Sequence, residues 1–179
     1  MAGCGPTMVV DRTGNGAPIL IRSPQPDADE IRRLHQVYGL TTVINLRGAD
    51  VPGYGSFNHE EPAPSWWLEE KRACRELGIS FWTMNLNDGT KPPSDNDIQI
   101  FFRLIQSKDA WPILIHCQGG IHRAGLMTAL YRMQFQKWSS ARAIREMESH
   151  WFNWSISNRS EVKNFLRYFR RDPSTRLPR

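Results

Sequence analysis

The sequence predicts an α/β fold, a three-layer sandwich with a mainly parallel central sheet. Three observations predict it. Short β-branched runs alternate with helix-patterned stretches from Ile19 to about Met133. Pro112-Ile113-Leu114-Ile115 is apolar at every position, as a strand covered on both faces must be. Beyond Met133 only helical patterns remain.

Element by element, positions 1–17 carry scattered Gly and Pro around one apolar run, Met8-Val9-Val10, and read as a flexible extension, with order expected to begin at Ile19. Ile19-Leu20-Ile21 is a short strand closed by Pro24 and Pro26. Asp27 followed three positions later by Glu30 predicts a capped helix start, and Gly39 ends that helix after Tyr38. Thr42-Val43-Ile44-Asn45-Leu46 is the next buried strand. A loop rich in Gly and Pro runs from Gly48 to Pro64, and Ser65 is expected to cap a helix over Trp66–Leu77 that Gly78 stops. Ile79–Leu86 is a strand, and the composition of Asn87–Pro93 permits only a loop. Ser94 caps a helix with Ile98, Phe101, Phe102 and Ile105 on one face. The strand ending at Ile115 runs into His116-Cys117, a turn follows through His122, and Arg123 opens a long helix through Leu126, Leu130 and Met133. Two more helices, about Ser139–Glu148 and Ser160–Arg171, flank the aromatic segment His150-Trp151-Phe152-Asn153-Trp154. The expected organisation is an extension at 1–17, a single domain at 18–172 and a basic tail at 173–179.

Composition supports one globular domain: of 179 residues, 40% are apolar and 23% charged, which excludes a disordered or fibrous chain. The formal charge of +5 suggests a polyanionic partner until it is divided by segment. Residues 1–158 hold 16 basic and 16 acidic side chains, whereas 159–179 hold 7 basic and 2 acidic ones. The excess lies on a terminal helix whose Val162, Phe165, Leu166 and Phe169 are expected to pack inward, so it gives no ground for a nucleic-acid partner. Cys4, Cys74 and Cys117 are odd in number and far apart, which argues against a disulfide framework, and no CxxC or Cys/His quartet points to zinc. No window approaches the roughly 18 apolar residues needed to span a bilayer. Cytoplasmic location is the default expectation. The opening Met-Ala-Gly-Cys4-Gly also resembles a lipoprotein cleavage site, under which Cys4 would carry a lipid anchor to the envelope; a chance Ala-Gly-Cys is an equal reading.

Function is most legible in Ile115-His116-Cys117-Gln118-Gly119-Gly120-Ile121-His122-Arg123: a His-Cys, five residues, then Arg, between an apolar strand and a helix. A loop at that junction can turn successive backbone N–H groups inward and make an anion-sized nest reinforced by the helix dipole. Gly119 and Gly120 allow the tight curl. At the base of such a cradle the donors favour the Cys117 thiolate, a nucleophile near neutral pH. The planar fork of Arg123 suits two phosphate oxygens.

This loop resembles that of the cysteine-dependent protein tyrosine and dual-specificity phosphatases, HCxxGxxR, through His116, Cys117, Gly120 and Arg123. A looser resemblance covers Ile19–Phe135: Ile21-Arg22-Ser23-Pro24-Gln25-Pro26 and Val43-Ile44-Asn45-Leu46-Arg47 look like the opening of small bacterial and atypical dual-specificity members, and Gly120–Arg123 looks like the plant and fungal atypical branch. The resemblance implies a dual-specificity-phosphatase-like sandwich and a metal-independent phosphomonoesterase with no cofactor. Cys117 would attack phosphorus to form a phosphocysteine, Gln118, Gly119, Gly120, Ile121, His122 and Arg123 would hold the phosphate, and a carboxylic acid would protonate the leaving oxygen. Substrates would be a phosphorylated protein or a small phosphate ester, and the chain is expected to act as a monomer.

The acid belongs on a loop upstream of the Cys117 strand, and Asp88, 29 residues before Cys117, takes that place. Asp95 and Asp97 are rivals at a helix start, where Asp is normally a cap; Asp50, Glu60 and Glu61 are outside candidates. His116 supports the loop, and His122 either adds charge to the cradle or faces solvent. Cys74 is a buried thiol or a partner for Cys117 under oxidation. Arg47 and Lys91 contact substrate or are ordinary loop charges, and Trp66 with Trp67 is a candidate pocket rim. One departure stands out: most family members carry Ser or Thr after the Arg, and here that residue is Ala124. The resemblance then implies slower dephosphorylation of the phosphocysteine intermediate in an active enzyme, and the competing readings are a pseudophosphatase that binds phosphorylated partners, an inositol-phosphate or phospholipid phosphatase of the same fold, and a rhodanese-like sulfurtransferase.

Overall fold

A computed structural model describes residues 5–48, 63–86, 90–149 and 160–178. Among them, strands β1 (Met8–Arg12), β2 (Pro18–Ser23), β3 (Thr42–Asn45), β4 (Ser80–Thr83) and β5 (Ile113–His116) form one sheet in the order β1-β2-β5-β3-β4. The last four run parallel, and β1 pairs antiparallel with β2 at the edge. Helices α1 (Ala28–Tyr38), α2 (Ser65–Glu76), α3 (Asp95–Gln106), α4 (His122–Gln134), α5 (Ser140–Ser149) and α6 (Ser160–Tyr168) cover both faces.

Successive side chains of a strand point to opposite faces, so the central strands feed two cores. Leu20, Ile44, Ile113 and Ile115 join Phe101 and Ile105 of α3 with Leu126, Met127 and Leu130 of α4. Ile21, Val43 and Leu114 meet Ile31 and Leu34 of α1 and Ala73 and Cys74 of α2. Each such fully buried aliphatic side chain contributes about 1.5–3 kcal/mol. Helix α4 is buried all round from Ala124 to Tyr131, lying between the sheet and helices α5 and α6. The three-layer sandwich is therefore as expected. Strand β5 sits between β2 and β3 although it follows both in sequence, and such a crossover point leaves a crevice beyond the carboxyl ends of the strands.

Local signals mostly held. Asp27 caps α1 by accepting from the Glu30 N–H at 2.7 Å, and Gly39 closes it in the left-handed conformation. Ser94 and Asp97 form a reciprocal capping box on α3. Val162 and Leu166 of α6 are buried, with Phe165 and Phe169 packed against the same core.

Four expectations are corrected. Order begins before Ile19, because Val9 and Val10 of β1 pack inward and Asp11 accepts a hydrogen bond from the Tyr131 hydroxyl at 2.5 Å. The three-residue apolar run becomes part of a strand by its antiparallel pairing with β2. Ser65 is the first residue of α2 and not its cap; the Pro64 carbonyl accepts from Trp67 and Leu68 instead. The strand expected over Ile79–Leu86 is a ladder only along Ser80–Thr83; beyond it Met84 N–H still donates to Asn45 O at 2.8 Å, and Asn85 then turns to a single antiparallel bridge with Arg47, which breaks the parallel register. Helix α6 ends at Tyr168, short of Arg171. Beyond it, Gln134 binds the carbonyls of Asp172 and Thr175 at 2.7 and 2.8 Å and ties down the chain's last turn.

Candidate active site

Strand β5 carries the chain to the sheet's carboxyl edge, where His116 is fully buried and Cys117 is 2% exposed. From there residues 117–121 form the loop before α4. Three of its carbonyls are each held by a donor from outside the loop, two of them from the end of β2 and the turn that follows it. Gln25 N–H donates to Gln118 O at 3.1 Å and Gly5 N–H to Gly119 O at 2.9 Å. Arg22 Nε donates to Gly120 O at 2.6 Å. A trans peptide is planar with C=O and N–H opposed, so pulling these carbonyls outward turns the N–H groups of Gly119, Gly120 and Ile121 the other way. Ile121 occupies the position that precedes α4 and its side chain makes no cap, so the helix brings its dipole to the same place. Of the two glycines, the requirement falls on Gly120. Its φ is 68°, and an added Cβ would lie 2.5 Å from Pro24 N, whereas nothing stands within 4 Å at Gly119.

Buried charges set the loop from beneath. Arg22 is 2% exposed, and its Nη1 lies 3.8 Å from Glu146, which also holds Arg132 at 3.2 Å. Burial lowers the pKa of Arg22, while Glu146 and then Cys117 oppose the fall, so this cation lies within the field of Cys117. On the other side of the sheet edge stands Glu70 of α2, 1% exposed. Its Oε1 lies 2.5 Å from His116 Nε2, and its Oε2 accepts from Asn45 Nδ2 at 2.8 Å and Gln25 Nε2 at 3.0 Å. A carboxylate removed from water needs such a set of partners, and here the partners are the ends of β2, β3 and β5. Arg47, just past β3, donates from Nη1 to Gln25 Oε1 at 2.9 Å and stacks 3.6 Å above the Trp66 ring. Burial first and Arg123 next lower its pKa.

The fold thus brings Cys117, His116 and the start of α4 with Arg123 together, with Arg47 beside them. Asp88, Asp50, Glu60, Glu61 and Cys4 lie outside the described residues, as does the segment His150-Trp151-Phe152-Asn153-Trp154. Asp97 is the capping residue that its position suggested, and Asp95 is exposed in the same first turn. His122 is the half-exposed first residue of α4, and Lys91 is exposed. Trp66 stands at the rim with Arg47, but Trp67 belongs to the interior, edge-on to Phe81. Cys74 packs in the α1–α2 core while Cys117 packs in the other, and burial followed by Glu70 pushes the Cys74 thiol up to about 12. That is the environment of an inert structural thiol. Sequence reasoning missed Arg22, Gln25, Asn45 and Glu70. Two left a trace: Arg22 is the one charge in Pro18–Ser23, and Glu70 falls on the helix face of Trp67 and Cys74.

Residues 12–165 match the family model described as DSP-PTPase phosphatase fused to NAD+ kinase. The dual specificity protein phosphatase TpbA of Pseudomonas aeruginosa is 34% identical over 132 residues, covering 74% of this chain and 51% of TpbA. The chain therefore spans about half the length of that curated relative. Among solved structures, the core catalytic domain of the PP-IP phosphatase SIW14 from S. cerevisiae aligns with a TM-score of 0.64 at 20% identity, over 84% of this chain and 80% of that one. PTPMT1 in complex with PI(5)P aligns at 0.60 and 17% identity, over 90% and 95% of the two chains. At such identities the likeness is one of fold.

Proposed function

The chain belongs to the DSP-PTPase phosphatase family, and on that premise we propose that it is a metal-independent phosphomonoester hydrolase working through a phosphocysteine intermediate. The thiolate of Cys117 attacks phosphorus in line, forming an S–P bond as the P–O ester bond breaks. Asp88 gives its proton to the departing oxygen. Arg123 and the N–H groups of Gly119, Gly120 and Ile121 stabilise the equatorial oxygens. A water molecule then attacks the thiophosphate, Asp88 takes its proton, and Cys117 leaves as thiolate with release of inorganic phosphate. His116, fixed by Glu70, positions the residue that follows it.

The observation that carries this reading is the trio of loop carbonyls held outward by Gly5, Arg22 and Gln25, which leaves a donor-lined cradle around a cysteine at the end of the central strand. The relatives support a phosphate ester as the substrate class, since TpbA has been crystallised with pTyr and PTPMT1 with PI(5)P. The test is hydrolysis of p-nitrophenyl phosphate by wild type, Cys117→Ser and Asp88→Asn. Wild-type turnover, none with Cys117→Ser, and a loss of about 10²–10⁴-fold with Asp88→Asn is the expected pattern. A wild type as inert as Cys117→Ser, yet binding phosphopeptides, would establish the pseudophosphatase reading instead.

A further inference from the structure

Of the three donors that hold the loop carbonyls outward, two are set by buried structure and one is not. Arg22 is a buried residue of β2, and the Gln25 side chain is fastened to the buried Glu70. Gly5 lies ahead of β1, outside any strand or helix. It reaches the cradle because β1 runs antiparallel to β2. Met8 stands opposite Arg22 and Ser23 opposite His116, so the chain ahead of Met8 is delivered to the sheet's carboxyl edge. There Thr7 Oγ1 donates to Glu30 Oε1 of α1 at 3.2 Å, and Gly5 N–H donates to Gly119 O at 2.9 Å. Residues 5–7 thus form a strap from α1 to the loop.

Gly119 O and Gly120 N–H belong to one planar peptide unit, so whatever holds the carbonyl outward aims the N–H inward. That unit lies between two glycines, and turning it over needs only ψ of the first and φ of the second, which glycine leaves free. Side-chain packing does not fix it at Gly119, where a Cβ would meet nothing within 4 Å. The units on either side are secured without the strap. Gln118 O accepts from Gln25 N–H, Gly120 O accepts from Arg22, and Gly120 lies against the backbone of Ser23 and Pro24. The Gly119–Gly120 peptide is the unit of the cradle whose direction depends on Gly5.

We propose that residues 5–7 are a positioning strap that keeps the Gly120 N–H aimed into the cradle and so pre-organises it for any phosphate ester. The proposal rests on the phosphatase reading above. The strap touches no substrate and acts through Gly119. Without it the peptide divides between inward and outward directions. A ligand that binds the inward form alone then loses apparent affinity in proportion, while the bound complex is unchanged. The test is Gly5→Pro in the full chain, which deletes the N–H and puts a ring carbon in its place. Its companion is Gly5→Ala, which keeps the N–H and adds a Cβ 3.3 Å from Ile121 Cγ1, a side-chain atom able to shift. For Gly5→Pro, KM on p-nitrophenyl phosphate and Ki for inorganic phosphate should both rise about tenfold, the upper end for one neutral hydrogen bond, with kcat within about twofold of wild type. Gly5→Ala should retain most of the wild-type affinity. Loss of stability alone lowers the active fraction, and with it the apparent kcat, without moving KM. Unchanged KM and Ki in Gly5→Pro, or a fall in kcat alone, overturns the proposal. If Gly5→Pro does not fold, Thr7→Val decides: freed from Glu30, the strap should hold less well and KM and Ki rise about threefold, and unchanged values overturn the proposal. Calorimetric titration of inorganic phosphate into wild type and Gly5→Pro should give the same ratio as Ki. That ratio in a protein without turnover would sink the phosphatase reading and leave the strap standing.

Discussion

Replacing Gly120 by alanine strikes the cradle at its tightest point. The residue adopts φ 68°, a conformation that costs a side-chain-bearing residue about 1–2 kcal/mol. The new Cβ would also lie 2.5 Å from Pro24 N, 2.6 Å from Ser23 C and 2.8 Å from Ser23 O. These are backbone atoms at the end of β2, where Ser23 is paired with His116, and they have no rotamer through which to yield. Restoring an ordinary contact of 3.4 Å moves the loop by roughly 1 Å and pulls Gly120 O from Arg22 Nε. Strain and the lost charge-assisted hydrogen bond together suggest a destabilisation of about 3 kcal/mol, and in a domain of this size each kcal/mol lowers Tm by about 2–4 °C. Gly120→Ala should therefore melt about 6–12 °C below wild type. A catalytic group misplaced by 1 Å loses about 10²-fold in rate, so kcat on p-nitrophenyl phosphate should fall on that scale. Gly119→Ala is the stability control, since a Cβ there meets nothing within 4 Å, and its Tm should stay near wild type. A Gly120→Ala protein with wild-type Tm and kcat would refute the reasoning.

Two further predictions concern Ala124 and Cys74. Ala124 is fully buried and closed to bulk solvent, and a hydrogen bond to a charged group is worth about 1.5–3 kcal/mol. Ala124→Ser should speed the slow phase after a stopped-flow burst about tenfold, and an unchanged slow phase would count against a role for that hydroxyl. Cys74 stays protonated in the folded chain up to about 12, whereas in the unfolded chain it ionises near the ordinary 9.0. The native state therefore binds the proton more tightly over that interval, and its stability is full below pH 9 and declines as pH rises toward 12. Urea midpoints measured from pH 8 to 11 should fall more steeply for wild type than for Cys74→Ala; equal slopes would rule out Cys74 as the cause.

What could be read from the sequence was whatever is enforced locally. The Ser94–Asp97 box and the Asp27 cap declare themselves within one helical turn, and the apolar Ile113–Ile115 announces a strand covered on both sides. The cradle is legible for the same reason, since Cys117, Gly120 and Arg123 are confined to a single loop and helix start. Strand β1 was not, because Met8-Val9-Val10 resembles any short apolar run until Ile21 and Arg22 lie beside it. Glu70 was hidden by its company: within Glu69-Glu70-Lys71-Arg72 it reads as one more solvated charge, and only the fold shows that it meets His116, Asn45 and Gln25. Polar groups that support a site from behind come from segments far apart in the chain, and no local pattern marks them.

The outward-held carbonyls also tie chemistry to folding. Arg22 and Gly120 are 98 positions apart, and Gly5 and Gln25 are likewise remote from the loop they fasten. Closing contacts of such separation costs chain entropy that no local propensity repays, so the loop does not hold this shape on a fragment. A peptide spanning only β5, the loop and α4 carries the same residues around Cys117 and lacks all three fastenings. The shape of the loop is therefore a property of the whole fold and not of the segment in which its motif is written.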